Sequence, residues 1–286
     1  MAKIYLHIGI GKTGTSSIQR FLHDNRDQLA REHRVFYSEA GMVNHAHHDL
    51  GNFHHETMRD EARGFWQDAI RAMMAQTFEC AVFSSEQFCY LKPAYVREIR
   101  DLLCEHKVKI VFYVRQQVGL VPSAYLQKIK QGHDYHGDVA DFFRYAKFGF
   151  IYSNRLKYWE EVFGAENIMV RAYDDPVIKA NVCADFLKMI NVDWHDTARL
   201  NIKVNDSLSP SAAKLLRAYD RHVGFAPMRE PIARLFAKYS KRAALAESPV
   251  PMPSALIEEI RAFYRDDNLA IADRYLDTRG RSYLCA

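Results

Sequence analysis

Hydrophobic positions along the chain switch repeatedly between short continuous runs and a spacing of three to four residues. The continuous runs predict buried strands, and the wider spacing predicts helices with one core-facing side. By this reading Lys3–Ile8 is a strand, and Thr15–Glu32 is a helix with Ile18, Phe21, Leu22 and Leu29 along one face. Arg34–Tyr37 is a short strand, followed by the polar, His-rich segment "NHAHHDLGNFHHE" and a helix over Met58–Ala75. "CAVFSSE" is a buried strand with a polar end, and a helix over Ala94–Glu105 leads into "KIVFYVR". Helices over Val118–Gln131, Val139–Lys147 and Arg155–Phe163 precede a late strand, "NIMVRAY".

After Pro176 the spacing is helical: Val177–Ile190, Ser209–His222, Pro231–Lys241 and Ser254–Leu276. Repeated strand–helix crossovers imply a parallel sheet covered by helices on both faces. With neither an internal repeat nor a low-complexity linker, the chain reads as one α/β domain over 1–286, with a core over 1–208 and a helical C-terminal extension over 209–286. The Pro-rich stretch Ala246–Ser254 is short enough to be a surface loop. In such sheets ligands bind beyond the carboxyl ends of the strands.

Composition narrows the function without choosing it. Of 286 residues, 48% are hydrophobic and 26% charged, which is ordinary for a globular chain. A net charge of +4 suits an anionic ligand but not a nucleic-acid surface. Cys80, Cys89, Cys104, Cys183 and Cys285 form no C-x-x-C pair, which predicts reduced thiols and a cytoplasmic setting. Neither a signal-type leader nor a membrane-length apolar run is expected. The glycosylation-type triplet Asn205-Asp206-Ser207 carries no weight without a secretory leader.

The chemistry begins at the end of the first strand, in "HIGIGKTGTSS". A glycine-rich turn opening a helix presents several backbone N–H groups to one anion, and the helix dipole adds positive potential. The nucleotide-hydrolase loop is G-x-x-x-x-G-K-[ST]. Aligned on Gly9 and Gly14, this chain has Thr15 where the lysine belongs, and its own lysine, Lys12, lies two residues before Gly14. A magnesium-dependent enzyme also needs an acidic residue at a second strand end. "CAVFSSE" offers Glu86 only after two serines, and "KIVFYVR" ends in Arg115, a group for another anion. The residues point to two anionic groups and no essential cation.

That combination resembles the sulfotransferases that use 3′-phosphoadenylyl sulfate. "KTGTSS" resembles their loop for the 5′-phosphosulfate, and "YVRQQVGLVPSAY" resembles their 3′-phosphate element, with a strand-end arginine, Arg115, and a serine eight residues later, Ser123. "RLKYWEEVFGAENIMVRAYDD", "DFLKMINVD" and "NDSLS" resemble later segments of bacterial carbohydrate-type sulfotransferases. The resemblance covers roughly Lys3 to Ser209. It implies a P-loop-type three-layer α/β/α fold. It further implies nucleotide contacts from Gly11, Lys12, Thr13, Gly14, Thr15, Ser16, Arg115 and Ser123, with Lys12 against the leaving bridging oxygen. The C-terminal Arg-Lys-Gly segment with which cytosolic small-molecule sulfotransferases clamp the 3′-phosphate is absent, so the third contact to that phosphate and the acceptor class stay unassigned. A structural ion pair is the plain alternative for Arg115, and a helix-surface hydroxyl for Ser123.

A hydroxyl acceptor must lose a proton, so a base is needed. The candidates are the histidines of the polar segment (His45, His47, His48, His54, His55) and Glu86, with the "HHDL" resemblance ranking His48 above Glu86. The H-x-H-H spacing and the lack of a nearby cysteine argue against a zinc centre within that segment. Tyr152, Tyr158, Trp159 and Trp194 are candidates for a sugar-stacking wall, although core positions suit them better. The expected activity is metal-independent transfer of a sulfuryl group to a hydroxyl or amine, with a carbohydrate as the favoured acceptor. A small-metabolite kinase and a non-catalytic nucleotide-binding module are the alternatives.

Overall fold

The computed structural model describes residues 3–53, 56–132, 135–200, 208–223, 226–243 and 250–286. His54, His55, the Asn205–Ser207 triplet with the start of "NDSLS", and residues 246–249 of the Pro-rich stretch lie outside the described residues.

The strands are β1 (Lys3–His7), β2 (Val35–Tyr37), β3 (Cys80–Ser84), β4 (Lys107–Val114) and β5 (Ile168–Ala172). The helices, in chain order, are α1 (Thr15–Asp24), α2 (Arg26–His33), α3 (Glu56–Met74), α4 (Pro93–Leu102), α5 (Gln117–Gln131), α6 (Val139–Ala146) and α7 (Tyr152–Phe163). They continue with α8 (Pro176–Ala180), α9 (Val182–Met189), α10 (Thr197–Leu200), α11 (Pro210–His222), α12 (Ala226–Ala243), α13 (Ser254–Tyr275) and α14 (Thr278–Leu284).

The chain forms two compact units, Met1–Arg115 with Tyr152–Lys203 and Asp267–Ala286, and Gln116–Ile151 with Val204–Asp266. The first unit holds a sheet of five parallel strands among the described residues, ordered β2-β3-β1-β4-β5. On one face Tyr5, Val82, Val111 and Tyr113 pack with Phe21 of α1 and Phe186 of α9. On the other, Phe83 meets Trp66 of α3 at 5.0 Å and Phe112 meets Tyr152 of α7 at 5.9 Å. Burying both faces explains why these strands read as continuous apolar runs rather than alternating ones. The result is the expected three-layer α/β/α arrangement with a parallel sheet.

The order also fixes where a ligand can bind. The chain leaves β1 for β2 on one side, then returns past β1 to reach β4, so β1 sits at the point where the winding reverses. The carboxyl ends of β1, β3, β4 and β5 lead into Ile8, Ser85, Arg115 and Tyr173.

Two expected helices are each split. Thr15–Glu32 breaks at Asn25, whose side-chain amide donates to the Phe21 carbonyl at 2.9 Å. Val177–Ile190 breaks at Asn181, whose side-chain oxygen caps α9 by accepting from Ala184 N–H at 3.0 Å. In both cases a short polar side chain competes for helical backbone groups while the apolar spacing runs on. The second unit has its own core, in which α5, α6, α11 and α13 bring together Val121, Phe143, Leu216 and Tyr264. Among the described residues no helix is long and apolar enough to cross a membrane.

Candidate functional site

The loop from β1 into α1 owes its shape to two left-handed residues, Lys12 (φ 73°) and Gly14 (φ 82°). Glycine suits Gly14 twice over. Its φ disfavours a side chain, and a Cβ there would lie 2.9 Å from Val182 and 3.0 Å from Tyr173. Lys12 has no such freedom, and a non-glycine residue held left-handed is strained, a feature that gathers at functional sites. Thr13 is buried and donates its hydroxyl to the Ile10 carbonyl at 2.7 Å. Its Oγ proton therefore serves the loop. Ser16 is exposed on the first turn of α1.

The loop is tied to the end of β3. Thr15 donates its hydroxyl to Glu86 Oε1 at 2.6 Å, and Gln19, one turn along α1, donates to Glu86 Oε2 at 3.0 Å. Gln19 also donates to Ser84 Oγ at 3.2 Å. His48 Nε2 lies 3.9 Å from Glu86 Oε2, and its Nδ1 is 3.0 Å from Ser85 Oγ. Ser85 in turn accepts from Gln87 N–H, capping the turn that carries Glu86. The two rival bases thus occupy one cluster, with Glu86 on the loop side and His48 beyond it.

The other histidines go elsewhere. His47 is fully buried; its Nδ1 accepts from Ser84 N–H at 3.1 Å and its Nε2 faces the Ser38 carbonyl at 2.9 Å. Accepting at Nδ1 places the proton on Nε2. Burial lowers His47 to about 4, against the partial support of those backbone bonds. His7, also fully buried, is lowered by burial to about 4 despite the nearby Glu86 carboxylate. Both are neutral, structural imidazoles. His45 turns away to His23 and Asp24.

At the end of β4, Arg115 reaches back to the loop, donating from Nη1 to the Lys12 carbonyl at 3.1 Å. Among the described residues its Nε has no hydrogen-bond partner, and it lies 3.6 Å from Asp174 Oδ1, beyond β5. Its guanidinium sits 5.7 Å from the Tyr173 ring centre. The Tyr152 hydroxyl exchanges hydrogen bonds with the Arg115 backbone, accepting from its N–H at 2.9 Å and donating to its carbonyl. Arg115 is thus partly the structural ion pair of the plain alternative, and also a fixed cation beside the loop.

No protein-family model matches the chain. A protein of Archaeoglobus fulgidus described only as uncharacterized is 25% identical over 209 residues, 71% of this chain. The match spans 55% of that relative's length, about half. The crystal structure of a sulfotransferase from Alicyclobacillus acidocaldarius aligns with 97% of this chain and 98% of its own, at 16% identity and a TM-score of 0.53.

The chain has a sulfotransferase fold.

In this sulfotransferase fold, Gly11, Lys12, Thr13 and Gly14 form the loop and Thr15 and Ser16 open α1, with Glu86, His48 and Arg115 against or beside them. Ser123 lies on α5 in the second unit, where it is half-buried. Tyr152, Trp159 and Trp194 are core residues, which removes them as a sugar-stacking wall. Gln19, Ser85 and Asp174 were not anticipated. Gln19 looked like one more polar position on a helix, and only the packing of α1 against β3 turns it toward the carboxylate.

Proposed function

We propose that the chain transfers a sulfuryl group from 3′-phosphoadenylyl sulfate to a hydroxyl or amine, with a carbohydrate as the favoured acceptor, and needs no metal for the transfer. The observation that carries this reading is the line Thr15–Glu86–His48. It couples an anion-type loop to an imidazole at the carboxyl ends of β1 and β3.

The loop fits such a donor. Among the described residues, a Cβ built on Gly11 would meet no atom beyond its chain neighbours within 4 Å, so the loop's face is open there to close approach. The backbone N–H groups from Gly11 to Ser16 would hold the 5′-phosphosulfate, since the hydroxyls of Thr13 and Thr15 are engaged. Lys12 would neutralise charge on the departing phosphate oxygen, where an ammonium helps most in the transition state. Arg115, with its Nε still to be bonded, would take the 3′-phosphate. Ser123 is assigned to that phosphate by its place in the sequence alone. The donor supplies an activated sulfuryl group whose charge is low enough to move without a metal.

His48 is the base in this reading. With its proton on Nδ1 and shared with Ser85 Oγ, Nε2 presents a lone pair. When Nε2 takes the acceptor's proton, the imidazolium gains the Glu86 carboxylate 3.9 Å away. Glu86, already accepting from Thr15 and Gln19, holds the base and loop in register. We place the reaction in the cytoplasm, in keeping with five free cysteines.

One contact favours a second reading. A strand-end carboxylate bonded to a loop hydroxyl, as Glu86 is to Thr15, is also what a magnesium-dependent kinase uses. A thermal-shift panel separates the two. Adenosine 3′,5′-bisphosphate should stabilise the protein without magnesium and more than AMP; a ligand at 100 times its dissociation constant adds about 2.7 kcal/mol. Stabilisation by ATP only with magnesium would replace the sulfotransferase by the kinase.

A further inference from the structure

His45 is held in a left-handed backbone at the tip of a tight turn. Val43 and Ala46 pair as a tight antiparallel hairpin, with Val43 N–H donating to the Ala46 carbonyl at 2.7 Å and the reverse bond at 3.1 Å. Asn44 (φ 50°) and His45 (φ 74°) form its two-residue tip. Two left-handed residues at such a tip are the mirror-image turn that favours Asn-Gly. Asn44 obeys the rule, and His45 stands where glycine would be unstrained. The Tyr37 hydroxyl fixes the tip by donating to the His45 carbonyl at 2.7 Å.

The strained tip delivers the His45 ring to His23, on the last turn of α1, with ring centres 4.5 Å apart and planes at 78°. His23 Nδ1 is 3.0 Å from Asp24 Oδ1. One ring nitrogen from each histidine and one Asp24 oxygen all lie within 4.8 Å of one another. Ligands bound to zinc at about 2.0–2.2 Å stand roughly 3.4 Å apart, so a small closing movement completes the set. Arg20 Nε holds the other Asp24 oxygen at 2.9 Å, the kind of outer contact that orients a ligating carboxylate. His23 and Asp24 are 33% and 38% exposed, so an ion can reach them from solvent.

We propose that His23, Asp24 and His45 bind one divalent transition-metal ion, zinc being the biological case, and that the ion staples the His48 loop to helix α1. Two imidazoles and one carboxylate suit zinc, cobalt or nickel, not the all-oxygen preferences of magnesium and calcium. Three protein ligands leave a fourth position for water. The ion is a brace outside the transfer chemistry: His45 lies three residues before His48, and α1 begins at Thr15, the partner of Glu86. The segment's own H-x-H-H spacing conceals the site, because its second histidine and its carboxylate come from α1.

The test uses tag-free, metal-stripped full-length protein titrated with Co(II), followed by visible absorption, and with Zn(II), followed by calorimetry and melting temperature. One equivalent should bind, with the d–d bands of a nitrogen-and-oxygen site. His23→Ala and His45→Ala should each weaken zinc at least tenfold, and His54→Ala/His55→Ala should not. His45→Gly guards against a folding artefact: it relieves the left-handed strain, so the metal-free protein should melt no lower than wild type, yet the zinc-induced rise should vanish. Zinc affinity of His45→Gly within twofold of wild type would overturn the site, as would binding lost in the His54/His55 variant or no cobalt binding at all. None of these readouts depends on sulfuryl transfer.

Discussion

Thr15 and Glu86, 71 positions apart in sequence, share a 2.6 Å hydrogen bond. It joins the first residue of the helix behind the glycine-rich loop to the strand end that faces His48. Loop and His48 are therefore linked through Glu86, and a change at Glu86 is felt at both.

The first consequence concerns the base. His48→Ala should lower kcat/KM by about 10²–10⁴, the usual span for a lost general base, while nucleotide affinity stays within threefold. Glu86→Gln keeps an acceptor for Thr15 but loses the carboxylate charge, and should cost about tenfold. Steady-state rates with isothermal titration of the nucleotide decide the matter. Near-normal turnover in His48→Ala beside an inactive Glu86→Gln would give the role to the carboxylate.

Arg115 should govern selectivity for the 3′-phosphate. Arg115→Ala is expected to cost on the order of 1.5–3 kcal/mol of affinity for adenosine 3′,5′-bisphosphate, as for a charge-assisted contact. AMP should lose far less. Equal losses for both nucleotides would mean that the bond to the Lys12 carbonyl is what matters.

Lys12 should act on rate more than on binding. Lys12→Ala is expected to lower kcat by roughly a hundredfold or more, with a smaller fall in nucleotide affinity. A fall in affinity with kcat unchanged would make it a ground-state phosphate ligand.

Gly14→Ala tests the loop's geometry. A methyl group there meets left-handed strain and two close side chains, and about 1–3 kcal/mol of stability should be lost. Thermal melts would show it, and an unchanged melting temperature would contradict the positive φ.

Acid should destabilise the fold through His7 and His47. Burial lowers both to about 4, against an ordinary 6.5. Between those values the unfolded chain binds protons that the folded chain refuses, so stability is full above about pH 6.5 and falls as pH drops toward 4. A melting series across that range should slope downward, and His47→Gln should flatten part of it.

The first-strand loop was legible because its glycines, lysine and hydroxyls are adjacent in sequence, from Gly11 to Ser16. Arg115 was legible as a cation closing an apolar run. Spacing alone does not separate adjacent His47 and His48, and the choice of His48 rested on the family resemblance. Their difference depends on which ring meets the Ser84 backbone and which meets Ser85 and Glu86.

By itself, then, the sequence determined the parallel α/β layering, the glycine-rich loop at the end of β1 and the candidate cations, because local periodicity and contiguous motifs encode them. The tertiary structure alone decided that Glu86 bridges Thr15 and His48, that Arg115 leans on Lys12 and Asp174, and that His45 meets His23 and Asp24. Those pairings join residues 21 to 103 positions apart. They exist only where parallel pairing sets the ends of β1, β3, β4 and β5 side by side and packing turns particular side chains toward one another.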